Sequence, residues 1–303
     1  MKKRYSNLNN VTNKKTFQDM RKWQKERRNK VKDLTKNIPQ CPNKRIEELR
    51  ENRSRDSYTW IGHSTFLLQL NGLNILTDPV WAKRMGFEKR LTDPGISSVE
   101  LPEIDVVVIS HGHYDHLDFP TLKKIPGNPQ YFVPIGLKSL FRKKGYQNVS
   151  EMTWWETTKY RGVQIQFVPA QHWTRRTMGD MNTSHWGGWI FQNANQTYYF
   201  VGDTGYFPGF KEIAERHMID TVFMPIGAYE PEWFMADSHI SPEDSVKAFI
   251  ELKAKQFVPM HYGAYRLADD TGPEALDRLL QEWKKQQLPE EQLKVLLIGE
   301  TVM

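Results

Sequence analysis

A dense cluster of candidate metal ligands lies directly after an apolar stretch of this chain. Residues 106–109 read Val-Val-Val-Ile, and the positions that follow supply His111, His113, Asp115 and His116. Side chains two apart in an extended segment point the same way, so His111 and His113 can bind one ion; after a turn, the other two can face a second ion. A solvated polar loop would explain any one of these residues, but the spacing of all four favours a site for two metal ions.

Three further ligand-type residues follow predicted strands in the same way. His172 comes after the alternating stretch 163–167, Asp203 after the apolar stretch 198–201, and His261 after 256–260. In α/β proteins, functional groups lie on the loops at the carboxyl ends of strands. The sequence therefore predicts one rim at which several strands deliver a ligand.

Alternating strands and helices predict an α/β fold. With 303 residues, 39% of them hydrophobic, the chain can bury one large core. Asn71 and Gly72 predict a two-residue hairpin turn. Strands are predicted at 58–60, 65–70, 73–77, 106–109, 163–168, 189–192, 197–201, 221–225, 256–260 and 294–298, and helices at 137–144, 210–216, 242–255 and 273–287.

Several short motifs accompany the ligand-type residues along the chain. They are Trp-Ile-Gly-His-Ser-Thr at 60–65, Thr-Asp-Pro at 77–79, the run 111–118, Trp-Trp-Glu at 154–156, Gln-His-Trp at 171–173, Gly-Asp-Thr-Gly-Tyr at 202–206, Pro-Ile-Gly-Ala-Tyr-Glu-Pro at 225–231, Trp-Phe-Met at 233–235 and His239. The order of the ligand-type residues, with the run 111–116 first, then His172, then Gly-Asp-Thr-Gly at 202–205 and last His261, resembles the metallo-β-lactamase superfamily of dinuclear metal hydrolases. The short motifs carry a narrower resemblance, over about residues 57–300, to the N-acylphosphatidylethanolamine-hydrolysing phospholipase D family. The resemblance implies an αββα four-layer sandwich.

The resemblance also implies which residues hold metal. It assigns seven residues to two zinc ions: to the first His111, His113 and His172, to the second Asp115, His116 and His261, and to both, as a bridge, Asp203. Two ions can hold a hydroxide near neutral pH, because metal coordination lowers the pKa of bound water towards ~7. Zinc is the default for sites rich in imidazole, and iron or manganese would fit the same ligands.

Three more residues have implied roles beside the metals. Asp78 matches a carboxylate that orients a ligating histidine through its far ring nitrogen, although an Asp before proline also suits a turn. His63 either supports the site or is a histidine of the core. His239 matches a catalytic histidine that stabilises the substrate phosphate or protonates the leaving oxygen. The alternative for His239 is a role only in closing its loop.

The implied reaction is hydrolysis of N-acylphosphatidylethanolamine to N-acylethanolamine and phosphatidic acid, by attack of the bridging hydroxide on phosphorus. A lactonase or a soluble phosphodiesterase with the same metal site is one alternative. Another is a protein that binds membrane or nucleic acid and retains a vestigial metal site. The complete set of ligands argues against the latter, because a vestigial site would be expected to lose a ligand.

Contacts to a phospholipid substrate are predicted around the site. Trp173 and Tyr229 are aromatic candidates for an apolar groove, and Arg175 and Arg176 are candidates for contact with the phosphate. Each arginine could equally be a surface charge. Phe119 stands where the family has a tyrosine, which removes one lipid-facing contact from the inference.

Positive charge is concentrated before residue 41. Residues 1–40 carry 13 Lys or Arg against three Asp or Glu, a net charge of +10, whereas residues 41–303 carry 29 against 33, a net charge of −4. We therefore predict a basic, partly helical arm at 1–40 and a hydrolase domain at 41–303. A basic amphipathic helix can lie on an anionic bilayer. A solvated helix packed on the domain is the alternative, and nucleic-acid binding lacks a fold signature.

Composition bears on the compartment. No stretch approaches the roughly 18 apolar residues that span a bilayer, and the first residues lack the apolar core of a signal peptide. The single cysteine, Cys41, excludes an internal disulfide and suits a reducing compartment. We expect a cytoplasmic protein, peripheral at the inner membrane surface if the arm contacts lipid. We expect no nucleic-acid partner, and the sequence leaves a homodimer open.

Overall fold

Strands rich in apolar side chains form two sheets that pack face to face in the computed structural model, which describes residues 3–303. The strands are β1 (Ser57–Gly62), β2 (Thr65–Leu70), β3 (Leu73–Thr77), β4 (Arg84–Met85), β5 (Glu88–Lys89), β6 (Val106–Val108), β7 (Gln130–Pro134), β8 (Val149–Met152), β9 (Thr157–Tyr160), β10 (Val163–Val168), β11 (Gly188–Gln192), β12 (Thr197–Phe200), β13 (Thr221–Pro225), β14 (Gln256–Met260) and β15 (Thr301–Val302). The helices are α1 (Phe17–Arg28), α2 (Ile46–Glu51), α3 (Phe119–Leu122), α4 (Lys138–Lys143), α5 (Gly209–Arg216), α6 (Glu232–Met235), α7 (Pro242–Leu252) and α8 (Gly272–Lys285), with a 3-10 turn at Glu290–Gln292.

Helices cover the outer face of each sheet. The larger sheet has the order β15-β1-β2-β3-β6-β7-β8, the smaller β14-β13-β12-β11-β10-β9, and β4 and β5 pair separately. Between the sheets, the ring of Phe223 on β13 lies 4.6 Å from Phe66 and 5.3 Å from Tyr58. The outer helices bury Leu49, Leu122 and Phe141 on the larger sheet and Phe210, Phe249 and Trp283 on the smaller. The predicted α/β class and αββα layering are confirmed.

Local signals placed most of the predicted elements correctly. Asn71 and Gly72 both have positive φ, 51° and 77°, as the two-residue turn between β2 and β3 requires. The predicted strand at 294–298 is wrong. Ile298 forms an isolated bridge with Gln40, whereas Leu293 forms one with Phe257 of β14. Because the segment changes partner partway, no continuous ladder forms there.

Residues 3–40 lie along the surface of the sandwich. A capping box of Thr16 and Asp19 starts α1. Trp23 stacks on Phe234 at 4.9 Å between ring centroids and donates its Nε1–H to Asp269 Oδ1 at 3.1 Å. Ion pairs to the sandwich join Lys15 to Asp237, Arg27 to Glu88 and Asp269, Lys30 to Glu230 and Asp269, and Lys32 to Glu230 and Glu274. Residues 1 and 2 of the predicted arm lie outside the described part of the chain.

The helices of residues 3–303 were also compared with the length and apolarity that a bilayer requires. None of them is both long enough and apolar enough to cross a membrane.

Candidate metal centre

One edge of the sandwich gathers the ligand-type residues. β3 and β6 run parallel, as do β12, β13 and β14, so their carboxyl ends share an edge in each sheet. The residues that come after these ends, and after β10, are Asp78, His111, His172, Asp203 and His261. Each strand is buried and apolar, which fixes where its polar successor emerges.

The first group of converging side chains consists of His111, His113 and His172. His111 Nε2 lies 2.9 Å from His113 Nδ1, and His172 Nε2 lies 3.2 Å from the same nitrogen. All three residues lie close enough to share an ion. The structure therefore brings together the three histidines that were predicted to hold the first metal.

The second group consists of Asp115, His116 and His261, joined by His63. Asp115 Oδ2 lies 3.4 Å from His116 Nε2, 3.6 Å from His261 Nε2 and 3.2 Å from His63 Nε2. The four residues form one candidate ligand cluster. His63 was predicted as a supporting or core residue, and its ring lies among the candidate ligands themselves.

Asp203 lies between the two groups. Its Oδ2 is 3.2 Å from His116 Nε2 and 3.9 Å from His172 Nε2, and its Oδ1 is 3.1 Å from His261 Nε2. Burial alone would raise the pKa of Asp203, but His116 and His261 hold that pKa well below its usual range. An ionised carboxylate thus contacts both clusters, as a bridging ligand would.

Hydrogen bonding within the site fits bound cations. The far nitrogens of three rings are engaged: His111 Nδ1 with Ser110 Oγ at 2.9 Å, His116 Nδ1 with Asp78 Oδ2 at 2.6 Å, and His172 Nδ1 with Ser238 O at 2.8 Å. Among residues 3–303, His116 Nε2, His261 Nε2 and Asp203 Oδ1 are buried without a hydrogen-bond partner. His116, whose Nδ1 contacts Asp78 while its Nε2 has no hydrogen-bond partner, is arranged as a metal-ligating histidine is.

Asp78 holds His116 and the neighbouring Ser110 in position through its carboxylate. Its carboxylate accepts from the Ser110 amide at 2.7 Å and from Ser110 Oγ at 2.5 Å, and it also contacts His116 Nδ1. Asp78 is fully buried, so these contacts fix its position. The predicted role of Asp78 in orienting a histidine therefore has a geometric counterpart, whereas the alternative of a plain turn residue does not explain the contacts.

Three residues at the same edge have left-handed backbone conformations. His63, Asp78 and His261 have φ values of 54°, 35° and 61°, in the left-handed region that non-glycine residues seldom adopt. Such conformations persist where the surrounding structure enforces them, and they cluster at functional sites.

His239 faces the metal centre from the loop between α6 and α7. Its Nδ1 lies 3.8 Å from Asp203 Oδ2, and its ring lies 5.2 Å from that of His172. The side chain is 18% exposed, so it can meet both the candidate ligands and a substrate. His172, Asp203 and His239 are also close enough together to share an ion, so a ligand role for His239 is geometrically open.

The predicted substrate-contact residues differ in position. Trp173 lies against His113, with ring centroids 4.6 Å apart, and Arg175 is exposed beside it. Arg176 Nη1 donates to the carbonyls of Gly112 at 2.8 Å and Leu117 at 2.9 Å, so it braces the ligand loop and these contacts give no support to its predicted phosphate contact. Tyr229 is buried in the main core against Arg278, which likewise gives no support to its place in a groove.

Comparison with known proteins identifies the family. A family model described as the beta-lactamase superfamily domain matches residues 73–262, more than half of the 303 residues. The chain belongs to the β-lactamase superfamily. The class of enzyme that this membership indicates is a metal-dependent hydrolase.

Two curated relatives of this superfamily member carry the narrower name. The chain is 39% identical over 226 residues to N-acyl-phosphatidylethanolamine-hydrolyzing phospholipase D 1 of Caenorhabditis elegans, covering 68% of this chain and 64% of the relative. It is 33% identical over 255 residues to the mitochondrial protein of that name in Saccharomyces cerevisiae, covering 78% and 54%. The predicted resemblance is confirmed, although the matches span less than two thirds of the length of either relative.

A solved structure supports the fold of this superfamily member. A possible metal-dependent hydrolase from Veillonella parvula superposes with a TM-score of 0.69 at 20% identity, covering 82% of this chain and 99% of that one. At this identity the likeness bears on the fold alone.

Sequence reasoning missed two residues that hold the superfamily site together. Ser110 joins Asp78 to His111, and its position directly before the histidine run was the available signal. Asn7 accepts a hydrogen bond from the backbone amide of His172 at 3.0 Å. No local pattern marks Asn7, because its partner lies 165 positions later.

Proposed function

We propose that this β-lactamase superfamily protein is a dinuclear zinc phosphodiesterase of the phospholipase D type. Its substrate is N-acylphosphatidylethanolamine, and its products are N-acylethanolamine and phosphatidic acid. The observation that carries the proposal is Asp203, whose carboxylate contacts nitrogens from both ligand clusters. The two relatives that bear this name support the choice of substrate.

The chain contributes positioning and proton transfer to this reaction. When bound, two zinc ions would supply a hydroxide near neutral pH and offset charge on the phosphoryl oxygens. Asp78 and the Ser238 carbonyl orient the rings of His116 and His172. As the P–O bond to the N-acylethanolamine breaks, His239 donates a proton to the departing oxygen. Its half-buried position beside Asp203 suits that role.

We also propose that α1 contacts an anionic membrane, but with one face only. Met20 and Trp23 pack on the sandwich, beside Phe234. Phe17, 76% exposed, lies on the opposite face with the exposed Arg21, Lys25 and Arg28, at helical spacings of four, four and three residues. This outer face offers one apolar anchor and three cations that the sandwich leaves exposed.

Vesicle binding tests the membrane proposal. Each cation contributes about 1 kcal/mol near an anionic bilayer, so a triple variant with Arg21→Glu, Lys25→Glu and Arg28→Glu should bind phosphatidylglycerol-rich vesicles roughly 100-fold less. The control replaces three exposed lysines elsewhere, Lys123, Lys124 and Lys253, with glutamate. Equal loss in both variants would contradict a specific role for the outer face of α1.

Product analysis tests the enzymatic proposal. Zinc-loaded and chelator-stripped protein would be incubated with N-acylphosphatidylethanolamine in mixed micelles, and the products identified by mass spectrometry. We expect N-acylethanolamine and phosphatidic acid only with metal present. No product from protein that demonstrably holds two metal ions would contradict the substrate, and lactones and soluble phosphodiesters would then be tested.

A further inference from the structure

Residues 4–15 run across the loops that carry two site histidines. The Asn7 side chain, 6% exposed, accepts from the His172 amide at 3.0 Å and from Trp186 Nε1 at 2.9 Å, while its own Nδ2–H donates to Val11 O at 2.9 Å. This residue fastens the segment directly to a candidate metal ligand.

Further contacts hold the segment on either side of Asn7. The Tyr5 amide donates to Asn182 O at 2.8 Å. On the other side, Lys15 Nζ donates to Asp237 Oδ2 at 2.9 Å, two residues before His239. The segment is therefore fixed beside both His172 and His239.

A cavity of about 230 Å³ lies between this segment and the loops at 172–173 and 181–186. Its lining is mainly apolar and includes Tyr5, Val11, Trp173, Met181 and Trp186, together with His172. Trp173 also contacts His113, so the cavity adjoins the metal centre.

Asn13 is the unusual member of this lining. Its Oδ1 and Nδ2 atoms are both buried, and neither has a hydrogen-bond partner within the described part of the chain. A buried polar group without a partner costs roughly 1–3 kcal/mol, so rotation of this carboxamide towards the cavity, where it could pair with a bound polar group, would be favoured. The Asn13 carboxamide offers an acceptor oxygen and an NH2 group with two donors.

We propose that this cavity binds the N-acyl amide of the substrate, with the amide paired to Asn13 and the first part of its acyl chain against the apolar lining. The inference deepens the proposed function and rests on it. In that reaction His239 faces the leaving oxygen, and the substrate amide nitrogen is two carbons from that oxygen. A secondary amide presents one donor and one acceptor, which matches Asn13; an ester presents acceptors only. Residues 4–15 are then a specificity-determining wall of the site.

The test compares two substrates in the full-length, zinc-loaded protein. One is N-palmitoyl phosphatidylethanolamine, and the other is the same lipid with an ester oxygen in place of the amide N–H. We expect kcat/KM for the amide to exceed that for the ester by about tenfold, the factor given by one hydrogen bond. Asn13→Leu should abolish this preference and lower kcat/KM for the amide by about tenfold or more.

Two further variants guard the interpretation. Asn195→Leu makes the same change at an exposed turn before β12, at the opposite end of that strand from Asp203, and should keep the preference. Asn13→Asp preserves shape and keeps the acceptor for the substrate N–H but loses the donor to the substrate C=O. It should therefore lower kcat/KM for both lipids and keep the preference for the amide, and loss of that preference would contradict the pairing even if the leucine variant misfolds. Circular dichroism and zinc content should match the unmodified protein for each variant that is scored.

Calorimetric binding of N-acylethanolamine separates this inference from the proposed function. If the protein cleaves the amide lipid but shows no preference that Asn13→Leu alters, the cavity proposal is overturned and the function stands. If it cleaves neither lipid yet binds N-acylethanolamine through Asn13, the cavity proposal is supported and the reaction must be replaced. If the protein shows no cleavage and no binding, both the cavity proposal and the proposed function are overturned.

Discussion

The metal centre and residues 3–40 are assembled in different ways. The centre is built from side chains that follow buried strands, so each ligand lies at a position fixed by sheet pairing. Residues 3–40 are held by single hydrogen bonds and ion pairs to residues far along the chain, such as Trp23 to Asp269. The metal centre could be predicted from a sequence motif, whereas the contacts of residues 3–40 are seen only in the structure.

Replacing Asp203 tests the metal centre with the largest expected effect. Asp203→Asn should lower kcat/KM by at least about 10³-fold, because metal ions contribute several kcal/mol to catalysis. Metal content, measured by atomic emission, should fall as well. Asp220→Asn, a half-buried carboxylate just before β13, serves as the control. If the Asp203→Asn protein kept its metal and its full activity, a bridging role for Asp203 would be contradicted.

A buried histidine that packs against residues 3–40 should make stability sensitive to acid. His185 packs between Tyr5 and Trp154, and burial lowers its pKa to about 4 from the usual 6.5. The unfolded chain therefore takes up a proton as pH falls below 6.5, whereas the folded state does so only near 4. Stability present above pH 6.5 is lost across this window, by about 3 kcal/mol.

Urea unfolding of chelator-treated protein at pH 7 and pH 4.5 would measure this loss without a contribution from metal release. His185→Phe keeps an aromatic ring between Tyr5 and Trp154 but cannot titrate. Its free energy of unfolding should fall less between the two pH values than that of the unmodified protein. An equal fall in both proteins would assign the acid sensitivity to other groups.

Replacing Asp78, which orients a candidate ligand, should reduce metal affinity or activity less than replacing a ligand. Asp78→Asn disturbs the hydrogen bond that orients His116, and loss of such a support typically reduces metal affinity or activity about 10–100-fold. Competition with a zinc chelator would measure the change. Asp118→Asn is a matched control, because Asp118 caps α3 and asparagine caps helices equally well. Equal zinc affinity in both variants would indicate that Asp78 is a turn residue.

The smallest effect is expected where residues 3–40 meet the sandwich. Asp269 is buried, and Trp23, Arg27 and Lys30 surround its carboxylate. Asp269→Asn should weaken docking by about 1 kcal/mol, since both cations can turn to water. Limited proteolysis should then cleave within residues 14–36 several times faster. Unchanged cleavage together with a lower zinc affinity would contradict the view that Asp269 holds residues 3–40 and not the metal centre.

Much of the fold and of the candidate site followed from local sequence signals. Three of these signals depend only on residues that are near in sequence. They are the spacing of two residues within a strand, the Asn71-Gly72 turn, and polar residues that follow apolar runs. His63 was placed less well, because its role depends on Asp115 and His261 from other strands. The strand predicted at 294–298 failed for the same reason, since its partners come from two distant segments.

The arm-like segment shows the same limit most clearly. Its charge was correctly located by counting, but the sequence could not reveal that the lysines just after α1 are paired. Lys30 and Lys32 contact Glu230, Asp269 and Glu274, and nothing near them in sequence specifies those partners. Arg21, Lys25 and Arg28 are indistinguishable from them by composition.

The 246 positions between Trp23 and Asp269 also set an order of events during synthesis. At about 5–20 residues per second, the ribosome needs roughly 12–50 s to pass from one to the other. Trp23 therefore lacks this partner in the nascent chain until strands β1 to β14 have been made. Asn7, by contrast, can close over His172 as soon as β10 has emerged, so the wall beside that histidine can form before the helix behind it docks.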